Sequence, residues 1–226
     1  MHRVVLTLLL LGTACQLPAG IIFTREAPGV QQTSVVGATT ESFDSLPVGA
    51  FGPFVSPVGT YSPGGTIVAP DLFGGANQTR YISVGVQSGQ LSYDLSFSGL
   101  RTYFGFYWSA GDGSNHVDFY EGATLKATFS VGDIIAGLSA AYFGNPNTGQ
   151  NTGEPYVYLN FTSSDLASRF DRVVFRGTSL GAGFESDNHS VFDVIIPPPG
   201  VPEPASISLM LSGVGGLLVY RIRRPC

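Results

Sequence analysis

The chain has two cysteines in 226 residues, Cys15 and Cys226, and they stand near its two ends. Residues 20–200 therefore hold no disulfide, no cysteine zinc site and no thiol nucleophile. Lysine is almost as scarce, since that stretch contains only Lys126, and charged residues make up 12% of the whole. Setting aside Arg3, Arg221, Arg223, Arg224 and Glu203, which lie towards the ends, residues 20–200 carry 7 basic and 15 acidic side chains, a net charge of −8. A nucleic-acid binder needs a basic surface to displace counterions from phosphate, so the acidic balance excludes that class. There are no blocks of like charge, which argues against a disordered chain, and too little Glu, Lys, Ala and Leu for a long coiled coil. No internal repeat is visible. What is present is 30 Gly, 15 Pro and 12% aromatics, the composition of one packed, turn-rich domain.

The two ends read as addresses rather than structure. Met1-His2-Arg3 is a short positive region, residues 4–11 are apolar except for Thr7, and Gly12, Thr13 and Ala14 are small. That order of parts predicts a signal peptide over 1–19, cleaved after Ala14 or Ala19, and export through the Sec translocon. At the other end the prolines 197–199 close the body, because proline cannot donate to a strand ladder. Then come Pro202-Glu203-Pro204, an uncharged run over 205–220, and the cluster Arg221, Arg223, Arg224. As a helix the run would span about 24 Å, somewhat short of a hydrocarbon core of roughly 30 Å, with arginines that can snorkel and that favour a cytoplasmic C-terminus.

A Pro-Glu-Pro triad, an apolar helix and a terminal arginine cluster, in that order, closely resemble the PEP-CTERM sorting signal of exported bacterial proteins. The resemblance spans 201–226, and Pro225-Cys226 after the basic cluster is a departure from it. It implies a Gram-negative bacterium, a precursor anchored in the inner membrane by a single transmembrane helix, and an exosortase. This protease-like transpeptidase recognises Pro202, Glu203 and Pro204, removes the tail with Arg221, Arg223 and Arg224, and passes the body to the cell surface or extracellular matrix.

Between the ends the pattern is that of strands. Over 91–98 every odd residue is apolar or aromatic and every even one polar, the mark of a half-buried antiparallel strand. Similar stretches are 80–86, 102–108, 116–121, 124–130, 156–162, 171–176 and 190–196, separated by Gly, Asn, Asp and Pro turns. Short strands at this spacing predict an all-β antiparallel sandwich, jelly-roll-like, with helix only over 131–141 or 163–168. Residues 20–79 are less regular and read as long loops with a strand-like start at 40–44 and a mobile leader over 20–37. The stretches 103–108 (YFGFYW), 115–120 (NHVDFY), 170–175 (FDRVVF) and 184–188 (FESDN) also resemble exosortase-dependent surface proteins, which implies a β-sandwich body.

Several constellations bear on chemistry. Residues 177–181 (GTSLG) fit the nucleophile-elbow spacing, but no helix follows, as that motif requires. His116 with Asp118 and Asp187 with His189 are i, i+2 pairs that would share strand faces and could hold a transition metal, or else be solvated while Val117, Phe119 and Val191 fill the core. Oxygen ligands in an acidic exported body suit calcium better, with Asp44, Glu185, Asp187 and Asn188 as one set and Asp112 and Asn115 as another. Tyr103 and Tyr107 share one face of their strand, and Tyr156 and Tyr158 repeat the arrangement, giving flat rings with polar tips suited to sugars unless loop 137–150 covers them. Together these observations predict an exported, non-catalytic surface or matrix protein that adheres to or associates with extracellular polysaccharide. The alternative is a secreted hydrolase with a carboxylate- or metal-dependent site.

Overall fold

The computed structural model describes residues 20–192, so the signal-like segment 1–19, the prolines 197–199 and the sorting signal with its span 205–220 lie outside the described residues. The alternation over 91–98 forms a strand in which Tyr93, Leu95 and Phe97 point inward and are buried. In chain order the strands are β1 (Ile21–Arg25), β2 (Thr39–Glu41), β3 (Gly49–Ala50), β4 (Phe54–Val55), β5 (Thr60–Tyr61), β6 (Thr66–Val68) and β7 (Tyr81–Gly85). They continue with β8 (Ser92–Arg101), β9 (Tyr103–Ser109), β10 (Asn115–Glu121), β11 (Thr124–Ser130), β12 (Val157–Ser163), β13 (Phe170–Gly177) and β14 (Gly183–Phe192). One sheet runs β1-β12-β9-β14-β7-β6-β3, with β2 also pairing β14; the other runs β11-β10-β13-β8-β5-β4. Every strand pair is antiparallel, as the all-β sandwich reading requires.

The core between the sheets is largely aromatic. Tyr93 stacks on Phe175 at 4.7 Å and Trp108 on Phe184 at 4.7 Å, while Phe104, Phe106, Phe119 and Phe161 are fully buried among them. Each such ring contributes roughly 1.5–3 kcal/mol through its removal from water. Inward residues alternate as expected on β9 (Phe104, Phe106, Trp108) and β10 (Val117, Phe119).

Three expectations need correction. Residues 20–37 do not form a mobile leader: β1 pairs along β12 from Ile21↔Ser163 to Arg25↔Leu159, and Gln31 is buried. Arg25 fastens the segment further, donating from Nη2 to the carbonyls of Ile134 (2.6 Å) and Ala136 (2.8 Å). The helix expected over 131–141 is α1 (Val131–Ile135), opened by a capping box between Ser130 and Asp133 and followed by Gly137 at φ +81°. The last strand begins at Gly183 rather than at 190. No helix of the described residues is long and apolar enough to cross a membrane.

Candidate functional site

β14 sets the geometry of the site through a bulge. Asn188 adopts φ +48°, and the pairing with β9 shifts register between Asp187 and Ser190. A residue inserted in this conformation reverses which side chains face inward. Phe184 and Ser186 point into the core before it, His189 and Val191 after it. Asp187 and His189 therefore lie on opposite faces, which corrects the expectation that they share one. His189 is fully buried, with Nδ1 3.0 Å from the Tyr61 hydroxyl and Nε2 3.1 Å from Ser186 Oγ. His116 and Asp118 do share the outer face of β10, but Arg176 Nε donates to Asp118 Oδ2 at 2.5 Å, and His116 Nδ1 lies 3.1 Å from the Ser114 carbonyl. The two pairs are on different strands of different sheets and make no common metal site.

The four tyrosines point outward as their spacing predicts, yet they are not a stacking platform. Tyr103, Tyr107, Tyr156 and Tyr158 are each 3% exposed or less. Residues 26–34, 70–79 and 142–155 cover this face as a third layer, so the covering is wider than loop 137–150 alone. Their side chains and carbonyls satisfy most of the polar groups beneath, the Tyr107 hydroxyl being buried without a partner among the described residues. Thr33 Oγ1 lies 2.6 Å from Tyr103 Oη, which donates to Asn160 Oδ1 (2.6 Å), and Tyr158 Oη donates to the Asn188 carbonyl and to Ser190 Oγ. Tyr156 Oη donates to the Leu72 carbonyl (2.7 Å), and Asn145 and Asn147 donate to the carbonyls of Leu72 and Gly75. Burial pushes the Tyr103 and Tyr156 hydroxyls up to about 12, so they remain protonated donors. Gly105 lies under this layer, where a Cβ would collide with the Tyr103 hydroxyl and the Tyr158 ring.

The proposed calcium residues are likewise separated. Asp44 Oδ1 accepts the Arg80 N–H and Oδ2 the Ser42 hydroxyl. Asp187 is sealed under the turn at Ala76, accepting the N–H of Ala76 (2.8 Å) and of Asn188 (2.6 Å), while Asn188 Nδ2 donates to the Gln31 carbonyl. Burial holds Asp187 well above the usual carboxylate range in spite of these N–H donors. Asn115 ties its turn together, accepting from Asp112 N–H and donating to the Gly183 carbonyl. Among the described residues no three His, Cys, Asp or Glu side chains gather as metal ligands. In the 177–181 segment Ser179 Oγ accepts the Gly181 N–H, in a turn joining two strands rather than a strand to a helix.

Of the singled-out carboxyls, Glu185 and Asp112 line one cleft. The cleft, of about 320 Å³, lies where the turns after β7 and β9 meet the start of β14. Asp112, Glu154 and Glu185 line it with Gln87, and Phe73, Val86 and Ala182 form apolar wall. Glu185 is 3% exposed, and its Oε1 accepts from Gln87 Nε2 (3.0 Å) and Ser83 Oγ (3.3 Å). Burial raises its pKa to about 8 against those two hydrogen bonds, and the charge of Asp112 adds to the rise. Gly183 makes the arrangement possible, because a Cβ there would overlap the Glu185 carboxyl. Opposite Glu185 on β9 stands Ser109, fully buried, its Oγ without a hydrogen-bond partner among the described residues. Sequence reasoning missed Phe73, Gln87 and Glu154, which sit in irregular segments with no period to read; the small residues 181–183 beside Glu185 were the one local signal of a close approach.

No family model matches the chain, and no curated protein matches it. Among solved structures it is similar to the catalytic domain of a GH87 alpha-1,3-glucanase in complex with tetrasaccharides, with a TM-score of 0.35 and 10% identity. The match covers 83% of this chain and 30% of that one, so the chain spans less than a third of that structure's length, and a likeness this low transfers neither fold nor activity.

Proposed function

We propose that the protein is an exported, non-catalytic surface or extracellular-matrix protein that associates with polysaccharide through the Glu185 cleft. The observation that carries this reading is the convergence of carboxyls, the Gln87 amide and the exposed Phe73 ring on one cavity of about 320 Å³. Carboxyl and amide groups match the paired hydroxyls of a sugar, a ring face matches its C–H surface, and the volume is at the lower end of the range for small ligands. In this reading the body is jelly-roll-like, the early strand β2 lying against the last, β14. The precursor is held in the inner membrane by 205–220 and sorted by an exosortase acting at Pro202, Glu203 and Pro204.

A glycan array on the full-length protein tests the binding. Selective capture that falls at least tenfold in Phe73→Ala is the expected result, and capture of no glycan overturns it. The alternative, a hydrolase, has one observation in its favour: a carboxyl that keeps its proton near neutral pH beside a second carboxyl is what a general acid requires. Release of reducing ends from a captured glycan, abolished in Glu185→Gln, would replace the binding function with hydrolysis. Sorting is tested separately. Mass spectrometry of surface protein from an exosortase-containing host is expected to show a C-terminus before Arg221, and retention of residues 221–224 would refute the sorting reading.

A further inference from the structure

We propose that the saccharide held by the Glu185 cleft carries free amino groups, as in a deacetylated hexosamine polymer. The inference rests on the polysaccharide reading of the cleft and names the ligand class. Three carboxyl side chains line the cavity and no basic side chain does. Arg169 donates to the Leu166 carbonyl and Arg101 lies over the Phe97 ring, both away from the cleft. Lys126 pairs with Glu121, Arg172 with Asp94 and Arg176 with Asp118, while Arg25 and Arg80 donate to backbone carbonyls. Among the described residues, no Lys, Arg or His side chain lines the cleft to offset its carboxyls.

A second feature points to a guest that donates hydrogen bonds. Ser109 and Glu185 are direct partners across the β9–β14 pair and share its outer face, with side chains about 4.5–5.5 Å apart at Cβ. Ala110, the next residue along the chain from Ser109, lies on the cleft wall, so Ser109 sits behind that wall beside Glu185. Its Oγ has no partner among the described residues, and the hydrogen bonds to Glu185 there fall on Oε1. A buried polar atom left unpaired costs about 1–3 kcal/mol, so a hydrogen-bonding group brought to the Ser109 end of the cleft is favoured. An ammonium group supplies three donors and the missing positive charge; a hydroxyl supplies one donor and no charge. The apolar wall of Phe73, Val86 and Ala182 takes the sugar ring to which the amine is attached.

The experiment compares glucosamine oligosaccharides, their fully N-acetylated counterparts and neutral glucans of equal length, titrated calorimetrically into the full-length protein in mildly acidic buffer where the sugar amine is charged. The amine form is expected to bind at least tenfold more tightly than the other two. Raising salt from about 0.1 M to about 1 M shortens the screening length from about 10 Å to 3 Å and is expected to remove most of that preference. Asp112→Asn and Glu154→Gln keep the hydrogen-bond acceptors of their turns and are each expected to weaken amine binding roughly tenfold more than they weaken binding of the N-acetylated form. Melting curves matching the wild type show that both variants fold. Equal affinity for amine and N-acetyl forms overturns the inference while the polysaccharide reading stands, as does capture of a lysine-rich peptide in preference to the amino sugar. Binding of no saccharide overturns both.

Discussion

His189→Ala is expected to destabilise the fold by about 3–5 kcal/mol, read as a lower urea midpoint at unchanged slope. The imidazole is fully buried, stacks on Phe175 at 4.8 Å and meets the edge of Phe43 at 5.0 Å. It also bridges the two sheets through hydrogen bonds, from Tyr61 on β5 through the ring to Ser186 on β14, whose Oγ lies 2.9 Å from the Tyr93 hydroxyl on β8. Removing the ring leaves a cavity and takes a partner from the Tyr61 hydroxyl and from Ser186 Oγ, which keeps Tyr93. His189→Phe fills the space and leaves only the polar loss, so a smaller cost of about 1–3 kcal/mol is expected from it. The pH dependence separates the two effects. Burial holds the His189 pKa well below its ordinary 6.5, so the unfolded chain takes up a proton below that pH and the native state does not. Stability of the wild type therefore falls as pH drops below about 6.5, and His189→Phe lacks that contribution. A cost below about 0.5 kcal/mol for His189→Ala, the level of a surface substitution, would show that the buried chain of hydrogen bonds does not hold the sheets together.

The outcome at β14 shows where sequence reasoning stops. Strands with one covered face, such as β8, announce themselves by alternation, and β11 has the expected bounds, Thr124–Ser130. β14 has both faces covered and runs through Glu185, Ser186 and Asp187 to its bulge at Asn188, so polar residues occur on both faces and the inward set changes parity there. No fixed period describes such a strand. The tyrosines teach a related lesson. Their orientation was legible because period two fixes which face a side chain takes. Their burial was not, because the layer above them is held by Asn145, Asn147 and Gln31 bonding to particular carbonyls and amides distant in sequence. The cleft was half legible. Glu185 and Asp112 were singled out as oxygen ligands, while Glu154, Gln87 and Phe73 reach it from irregular segments, and only the tertiary fold places them together.

Glu185→Gln is expected to change the pH dependence of stability rather than stability at every pH. The ordinary value for this carboxyl is 4.5 and burial raises it to about 8 in the folded protein. The native state thus holds a proton that the unfolded chain releases above about pH 4.5. Stability is full below that pH, declines as pH rises, and the decline ends once the native carboxyl ionises near 8. At 1.36 kcal/mol per pKa unit the loss is on the order of 3–5 kcal/mol. Glutamine keeps the Oε1 acceptor for Gln87 and Ser83 but has no proton to lose. Asp187 is raised in the same direction and is present in both proteins, so the difference between the two curves isolates Glu185. Urea titrations across this range should give nearly equal stabilities near pH 4.5 and a variant more stable than the wild type by several kcal/mol above about pH 8. Parallel curves would mean that the Glu185 carboxyl is hydrated and ionised in the folded protein. The floor of the cleft would then carry its full charge at neutral pH, and a neutral sugar would meet a stronger electrostatic penalty there than a charged amine.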